Sequence, residues 1–180
     1  MPITQKSCVN FPSPPAIGPS ARFELGTSSF IPGKDIPRVF TCDGQNASPA
    51  LAWIGPPSRT QSFALIAHDA DESGGSFVQW LVYDIPASAT GLTEATPQRE
   101  ELAGGARQGV NDFGRLGYSG PCPQPGRTHR YIFKFYALDI KLPPRPRAPA
   151  KYVEEAMKGH ILGQAEITGI YSRPSPAPPQ

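Results

Sequence analysis

The segment from Gly109 to Asp139 constrains the fold of this chain more than any other. Its first half is rich in glycine and proline, and it is not expected to form helix or strand, because glycine is conformationally permissive and proline lacks a backbone N–H donor. Its second half, YIFKFYAL at Tyr131–Leu138, is an apolar run that predicts a buried strand. A loop therefore delivers His129 and Tyr131 to the end of a sheet, where binding sites are often built.

Proline across the whole chain favours strands and loops over helices. The 180 residues include 23 prolines, and only 18% of the residues are charged. Since proline is poorly tolerated inside helices, we expect a loop-rich fold dominated by β-strands. The length suits one domain with a substantial core. We expect a Pro/Ser-rich extension at residues 1–22, a single domain at 23–173 and a Pro-rich tail at 174–180.

Four segments have the pattern of strands, and one has that of a helix. The predicted strands are Ser62–His68, Phe77–Ile85, Tyr131–Leu138 and Ala165–Tyr171. The predicted helix is Lys151–Leu162, with apolar residues at helical spacing and Gly163 as its C-terminal stop. A weaker helical turn is predicted at Gln98–Ala103. The fold class that follows is mainly β, with a mostly antiparallel core and peripheral helices.

Charge and motif content argue against several classes of function. The formal net charge is +2 and the basic residues are scattered, so nucleic-acid binding is not expected. No apolar run approaches the roughly 20 residues that span a bilayer. The N-terminal region lacks the apolar core of a secretory signal, so a cytoplasmic location is expected. The three histidines lack the HxxxH or HExxH spacing of metal sites, and neither a metal nor a cofactor is expected.

The cysteines leave two states open. Cys8, Cys42 and Cys122 lack the CxxC spacing of zinc sites. Cys42 and Cys122 could meet in space as free thiols or as a disulfide. Because thiols stay reduced in the cytosol, we expect reduced cysteines.

An acidic tetrad follows the first predicted strand. Asp69, Ala70, Asp71 and Glu72 come directly after it, and in extended backbone Asp69 and Asp71 point to the same side. Two adjacent carboxylates resist double ionisation unless a cation is near, and a protonated His129 is a candidate for that cation. The alternatives are a solvated acidic turn and a histidine held by a backbone carbonyl.

Together these motifs resemble the phosphatidylethanolamine-binding protein family, specifically its bacterial and archaeal Raf-kinase-inhibitor-like branch. The resemblance covers roughly residues 23–173, and its combination of GPCP and HRY is specific. The matching motifs, in the family's order, are FTCDG at Phe40–Gly44 with Ser48-Pro49, the segment Asp69–Pro86, GVNDFG at Gly109–Gly114, GYSGPCP at Gly117–Pro123, HRY at His129–Tyr131 and KGHIL at Lys158–Leu162.

The resemblance implies a large central antiparallel sheet, a smaller second sheet and a C-terminal helix beside a shallow pocket. In that family the pocket accepts anions such as phosphate, acetate or a phospholipid headgroup. The branch often forms dimers, so a homodimer is also expected. Carried onto this chain, the implied ligand-binding residues are Asp69, Asp71, Gln79, Trp80, Gly120, Pro121, His129 and Tyr131.

Two departures from the family pattern bear on the ligand. The family's DPDAP motif reads DADES at Asp69–Ser73, and its histidine before tryptophan is Gln79. Glutamine donates a hydrogen bond but carries no positive charge. Losing one charge-assisted contact costs roughly 1.5–3 kcal/mol where water is excluded. We therefore expect weaker and less pH-dependent phosphate binding than in relatives with both histidines.

Two functions are open at this point. The first is a binding module for a small anion or headgroup, able to modulate other enzymes, with no protein partner indicated. The second is a cofactor-independent enzyme, in which Asp69, Asp71 and His129 act as general acid and base on a small organic metabolite, in an isomerisation or cyclisation. We favour binding over catalysis.

Overall fold

The computed structural model of the chain describes residues 22–176. The N-terminal extension predicted at 1–22, apart from its last residue, lies outside these residues, and so does Cys8. The elements are β1 (Glu24–Gly26), β2 (Leu51–Ile54), β3 (Ser62–Asp69), β4 (Phe77–Pro86), β5 (Gly91–Leu92), β6 (Arg107–Gln108), β7 (Thr128–Leu138), α1 (Ala150–Met157) and β8 (Ile161–Ser172), with short 3-10 helices at Arg38–Phe40 and Ala103–Gly105.

The strands form two antiparallel sheets. The large sheet has five strands in the order β6-β4-β3-β7-β8, and the small sheet has three in the order β1-β2-β5. The mainly β fold class, with its smaller second sheet and a helix near the C-terminus, is thereby confirmed. Within residues 22–176, no helix has the length and apolar character needed to cross a bilayer.

The core lies on both faces of the large sheet, which explains why the central strands read as continuous apolar runs. Every residue of β3 is buried. Between the two sheets, aromatic rings pack closely, and the ring centroids of Trp53 and Phe135 are 4.3 Å apart. On the opposite face α1 buries Val153 and Met157. This packing holds the ends of β3 and β7 in a fixed relation to each other.

The helix is shorter than predicted. It ends at Met157, and Gly159 follows with a φ of 78°, a left-handed conformation that glycine adopts readily. Ile161, which has helical spacing in the sequence, instead begins β8 and pairs with Leu138. The predictions that the helix extends to residue 162 and stops at Gly163 are therefore wrong.

Other boundaries differ for related reasons. β7 begins at Thr128 and β8 at Ile161, earlier than predicted, because the two strands pair with each other along their whole lengths. This pairing draws polar residues that lack a strand pattern into the ladder. The helical turn predicted at Gln98–Ala103 does not form, and the nearest helical turn is the 3-10 helix that starts at Ala103.

Cys42 and Cys122 form a disulfide, and their Cα atoms are 5.4 Å apart. The expectation that they are reduced is wrong. Their backbones are neighbours, since the Cys42 N–H donates to the Pro121 carbonyl at 3.1 Å. The 80 positions that separate them hid this contact from the sequence. The bond ties the turn after the first 3-10 helix to the loop that leads into β7.

Candidate functional site

The candidate site lies where β3 ends and β7 begins. These strands are antiparallel neighbours, and Asp69 stands directly opposite Tyr131 in the register. Opposite residues of paired strands project to the same face, and so does His129, two residues before Tyr131. The sheet therefore brings together one carboxylate, one imidazole and one phenol that are far apart in the sequence.

Asp69 and His129 form a largely buried pair. His129 Nδ1 lies 2.7 Å from Asp69 Oδ2, and the two side chains are 14% and 3% exposed. The other carboxylate oxygen of Asp69 accepts the backbone N–H of Asp71 at 2.9 Å. Asp69 therefore orients the imidazole, and His129 Nε2 makes no hydrogen bond with any residue in the 22–176 range.

Asp71 is paired separately, with Arg130. Its carboxylate accepts the Arg130 backbone N–H at 2.8 Å and two guanidinium N–H groups at 2.9 and 2.7 Å. Hydrogen bonds from the Arg130 side chain and backbone lower the pKa of Asp71 to about 2. The two carboxylates thus have separate cationic partners, and the Asp71 pair lies on the rim, with its carboxylate 30% exposed.

Tyr131 contributes an unpaired hydroxyl. The residue is 2% exposed, and its hydroxyl oxygen has no hydrogen-bond partner in the described part of the chain. Burial, together with the nearby charges of Asp69 and Glu72, raises the pKa of Tyr131 well above its ordinary value. The hydroxyl therefore stays protonated at neutral pH.

An open pocket of about 250 Å³ lies against these groups. Larger hollows of about 330, 420 and 490 Å³ lie elsewhere, against Arg173, Phe23 and Tyr118 respectively. None of the three is lined by a histidine from residues 22–176, whereas His129 lines the smaller pocket beside Arg127 and two carboxylates, so we take the smaller pocket as the site. It is lined by Asp71, Glu72, Ser73, Gln124, Arg127 and His129.

Of the eight residues implied by the resemblance, only Asp71 and His129 line the pocket. Trp80 is fully buried, and its indole N–H donates to Gln108 Oε1 at 2.8 Å. Gln79 is 4% exposed, and its amide nitrogen, oriented toward the loop, donates to the backbone carbonyls of Ser119 and Gly120. Neither lines the pocket. The amide N–H groups of Gln79 therefore hold the loop that contains Ser119 and Gly120.

Gly120 and Pro121 belong to that loop and shape it. The Gly120 N–H donates to Asn46 Oδ1 at 2.7 Å, and a Cβ at position 120 would collide with the Phe40 carbonyl oxygen. The Tyr118 hydroxyl also donates to that carbonyl, at 2.7 Å. The loop is thereby fixed at the point where the disulfide joins it, and glycine is required at 120.

Some lining residues were not among the sequence-predicted site residues. Glu72, Gln124 and Arg127 line the pocket, although the resemblance implies none of them as a ligand-binding residue. The two loop residues lie between the GPCP and HRY motifs. Polar side chains in a short loop between two site motifs are the signal that could have indicated them.

Comparison with known proteins places this geometry in a family. The family model for phosphatidylethanolamine-binding proteins matches residues 26–172. A UPF0098 protein of Aquifex aeolicus is 47% identical over 157 residues, which is 85% of this chain and 90% of the relative. Another, from Methanothermobacter thermautotrophicus, is 46% identical over 83% of this chain and 98% of the relative.

Solved structures agree with the family model. Escherichia coli YbcL, described as a member of the mammalian PEBP family, superposes with a TM-score of 0.78 at 34% identity, covering 84% of this chain and 99% of that one. A homologue from Chlamydia trachomatis gives a TM-score of 0.77 at 33% identity, with 84% and 97% covered.

Proposed function

The chain belongs to the phosphatidylethanolamine-binding protein family, and we propose that its pocket binds a small anion of the phosphate or phospholipid-headgroup type. The observation that carries the proposal is the position of His129. Its imidazole is held by Asp69 at 2.7 Å and lines the pocket together with Arg127. Arg127 makes no ion pair with any residue between 22 and 176, so its charge is available to an anion.

The remaining charges of the pocket make the proposed binding weak. Asp71 is compensated by Arg130, and Asp69 is hydrogen-bonded to the His129 ring. The Glu72 carboxylate accepts only from the Ser73 backbone and hydroxyl among the described residues, so its negative charge opposes an anion. Gln79 does not replace the family's second histidine, since its donor faces the loop carbonyls.

Calorimetric titration with inorganic phosphate tests the proposal. We expect weak, saturable binding to the wild type, with affinity lower by roughly ten-fold or more in His129→Gln and Arg127→Gln, since each loses a charge-assisted hydrogen bond. His160→Gln, which changes a partly exposed histidine outside the pocket, is the matched control. An unchanged affinity in both pocket variants would contradict the proposal. Glycerophosphoethanolamine, titrated in parallel, distinguishes a headgroup from free phosphate.

A second candidate function is cofactor-independent acid–base catalysis. It is favoured by the orientation of the His129 ring by Asp69, since an imidazole held in this way is suited to act as a general base. The protonated Tyr131 hydroxyl nearby could act as a donor. Mass spectrometry of compounds that co-purify with the protein would identify a substrate. Unchanged turnover of that substrate in both His129→Ala and Asp69→Asn would end this alternative.

The proposal also covers the cellular compartment of the protein and its oligomeric state. The proposal includes a cytoplasmic location, in which the Cys42–Cys122 disulfide has to persist although glutathione keeps most cytosolic thiols reduced. Cell fractionation tests the location: protein recovered in the cytosolic fraction supports it, and protein recovered outside the cytosol contradicts it. The homodimer stays a prediction that sedimentation can check.

A further inference from the structure

The pocket contains a cluster of residues able to ligate a metal ion. Asp69, Glu72 and His129 each offer one ligand atom, and these atoms all lie within 4.8 Å of one another. The three come from the end of β3, from the turn after it and from the start of β7. No sequence motif joins them, so the histidine spacing gave no reason to expect a metal.

A buried hydroxyl without a hydrogen-bond partner in the described part of the chain is a second, independent observation that indicates a bound ion or ligand. Tyr131 is 2% exposed and its hydroxyl has no partner among residues 22–176. In the strand register it stands opposite Asp69 and on the same face of the sheet as His129, two residues away, so its side chain shares a face with two members of the cluster. Buried polar groups in folded proteins are nearly always hydrogen-bonded, and an orphaned one calls for an explanation such as a missing ion or ligand.

We infer that Asp69, Glu72 and His129 bind one divalent cation of the first transition series. Two carboxylate oxygens and one imidazole nitrogen form a mixed donor set that suits Mn²⁺, Fe²⁺ or Zn²⁺ better than Mg²⁺ or Ca²⁺. The Tyr131 hydroxyl is then placed to donate to water or an anion on the ion. The Asp69–His129 contact of 2.7 Å has to widen by a few tenths of an ångström, with release of the shared proton, as ligands shed protons on binding a metal.

This inference goes beyond the proposed anion binding and is tested separately. A cation at this point would offset the negative charge of Glu72, which otherwise opposes an anion. Metal titrations without phosphate do not depend on whether the pocket binds anions. Failure of the metal site therefore leaves the anion proposal standing, and the reverse holds too.

Titration of the chelator-treated full chain with Mn²⁺ tests the site, with free Mn²⁺ measured by electron paramagnetic resonance. We expect one saturable site. Glu72→Gln, a change in a partly exposed turn, should weaken it by at least about ten-fold, as loss of even an outer-shell partner commonly does. Glu155→Gln, which alters an exposed acid on α1, should leave it unchanged. No saturable binding below about 1 mM, or equal binding in Glu72→Gln, would overturn the inference.

The position of the ion is checked by proton NMR of the histidine rings. Substoichiometric Mn²⁺ should broaden the ring signals of His129 first. It should spare His160, which is paired with Asp139 at 2.8 Å, because no third candidate ligand joins that pair among residues 22–176. Equal broadening of the two rings would overturn the assignment.

Discussion

Two histidine–aspartate pairs lie at opposite ends of β7 and differ mainly in their surroundings. His129 and Asp69 are 2.7 Å apart at the start of the strand, and His160 and Asp139 are 2.8 Å apart just beyond its end. The side chains of the first pair are 14% and 3% exposed, and those of the second are 40% and 38% exposed. Equal contact distances therefore accompany very different degrees of burial.

The difference shows that the surroundings of a histidine–aspartate pair, and not its contact distance, decide whether it forms part of a site. Water and salt screen the exposed pair, and such pairs contribute about 0–1 kcal/mol. The buried pair adjoins a pocket, an unpaired hydroxyl and a loop fixed by a disulfide. Less water surrounds this pair, so a hydrogen bond within it contributes more to stability. An unsatisfied polar group at the same place costs more.

The largest expected effect comes from removing the disulfide that fixes the pocket end. Replacing both Cys42 and Cys122 by Ser should lower the free energy of unfolding by about 2–5 kcal/mol, because the bond closes a long loop in the unfolded chain. Urea unfolding measures this loss. Cys8→Ser, which leaves the bond intact, is the control. A double variant as stable as the wild type would show that the pocket end needs no covalent support.

Replacing the aspartate of each histidine–aspartate pair tests whether burial distinguishes the two pairs. Asp69→Ala leaves the partly buried His129 ring and the Asp71 N–H without their shared partner, so we expect a loss of about 1–3 kcal/mol in unfolding free energy. Asp139→Ala should cost less than about 1 kcal/mol. Thermal and urea unfolding of both variants provide the measurement. Similar losses would show that burial does not distinguish the two pairs.

Substitutions of two buried tyrosines are expected to separate an effect on stability from an effect on ligand binding. Tyr118→Phe removes a hydrogen bond to the Phe40 carbonyl and should cost about 1–3 kcal/mol of unfolding free energy. Tyr131→Phe removes a hydroxyl with no partner among the described residues, so stability should stay nearly the same while phosphate affinity falls. Calorimetry measures affinity, and urea unfolding measures stability. An equal loss of stability in both would mean that the Tyr131 hydroxyl has a structural role.

The smallest effect concerns the rim pair of Asp71 and Arg130. The pKa of Asp71 is lowered from its ordinary 3.8 to about 2 by Arg130, so the pair's contribution is fully present above about pH 4 and is lost as the pH falls toward 2. For this exposed pair we expect less than about 1 kcal/mol. Urea unfolding from pH 5 to 2 should show the stability of wild type and Arg130→Gln converging. A gap that persists at pH 2 would rule out this linkage.

Much of the fold could be predicted from the sequence. The continuous apolar runs placed β3 and β4 within one residue of their observed ends, because burial on both faces leaves that pattern. The end of α1 could not be predicted, since Ile161 has helical spacing and only its pairing with Leu138 places it in a strand. At Ile161 a tertiary contact, the pairing with Leu138, therefore overrides the helical pattern of the sequence.

The site could be predicted only in part. Asp69 and His129 were expected together from the resemblance and from the chemistry of the acidic tetrad, and the register brings them into contact. The Arg130 partner of Asp71 and the inward donor of Gln79 depend on side-chain directions that no sequence pattern encodes. The disulfide depends on a loop-to-loop contact of the same kind.

The most direct test of a ligand pocket built around the buried pair is a phosphate titration followed by NMR of the histidine rings. The ring signals of His129, at the pocket, should shift with saturation. Those of His160, at the exposed pair, should not move beyond the effect of ionic strength. Equal shifts of both rings, or a stationary His129 signal up to saturating phosphate, would contradict the account.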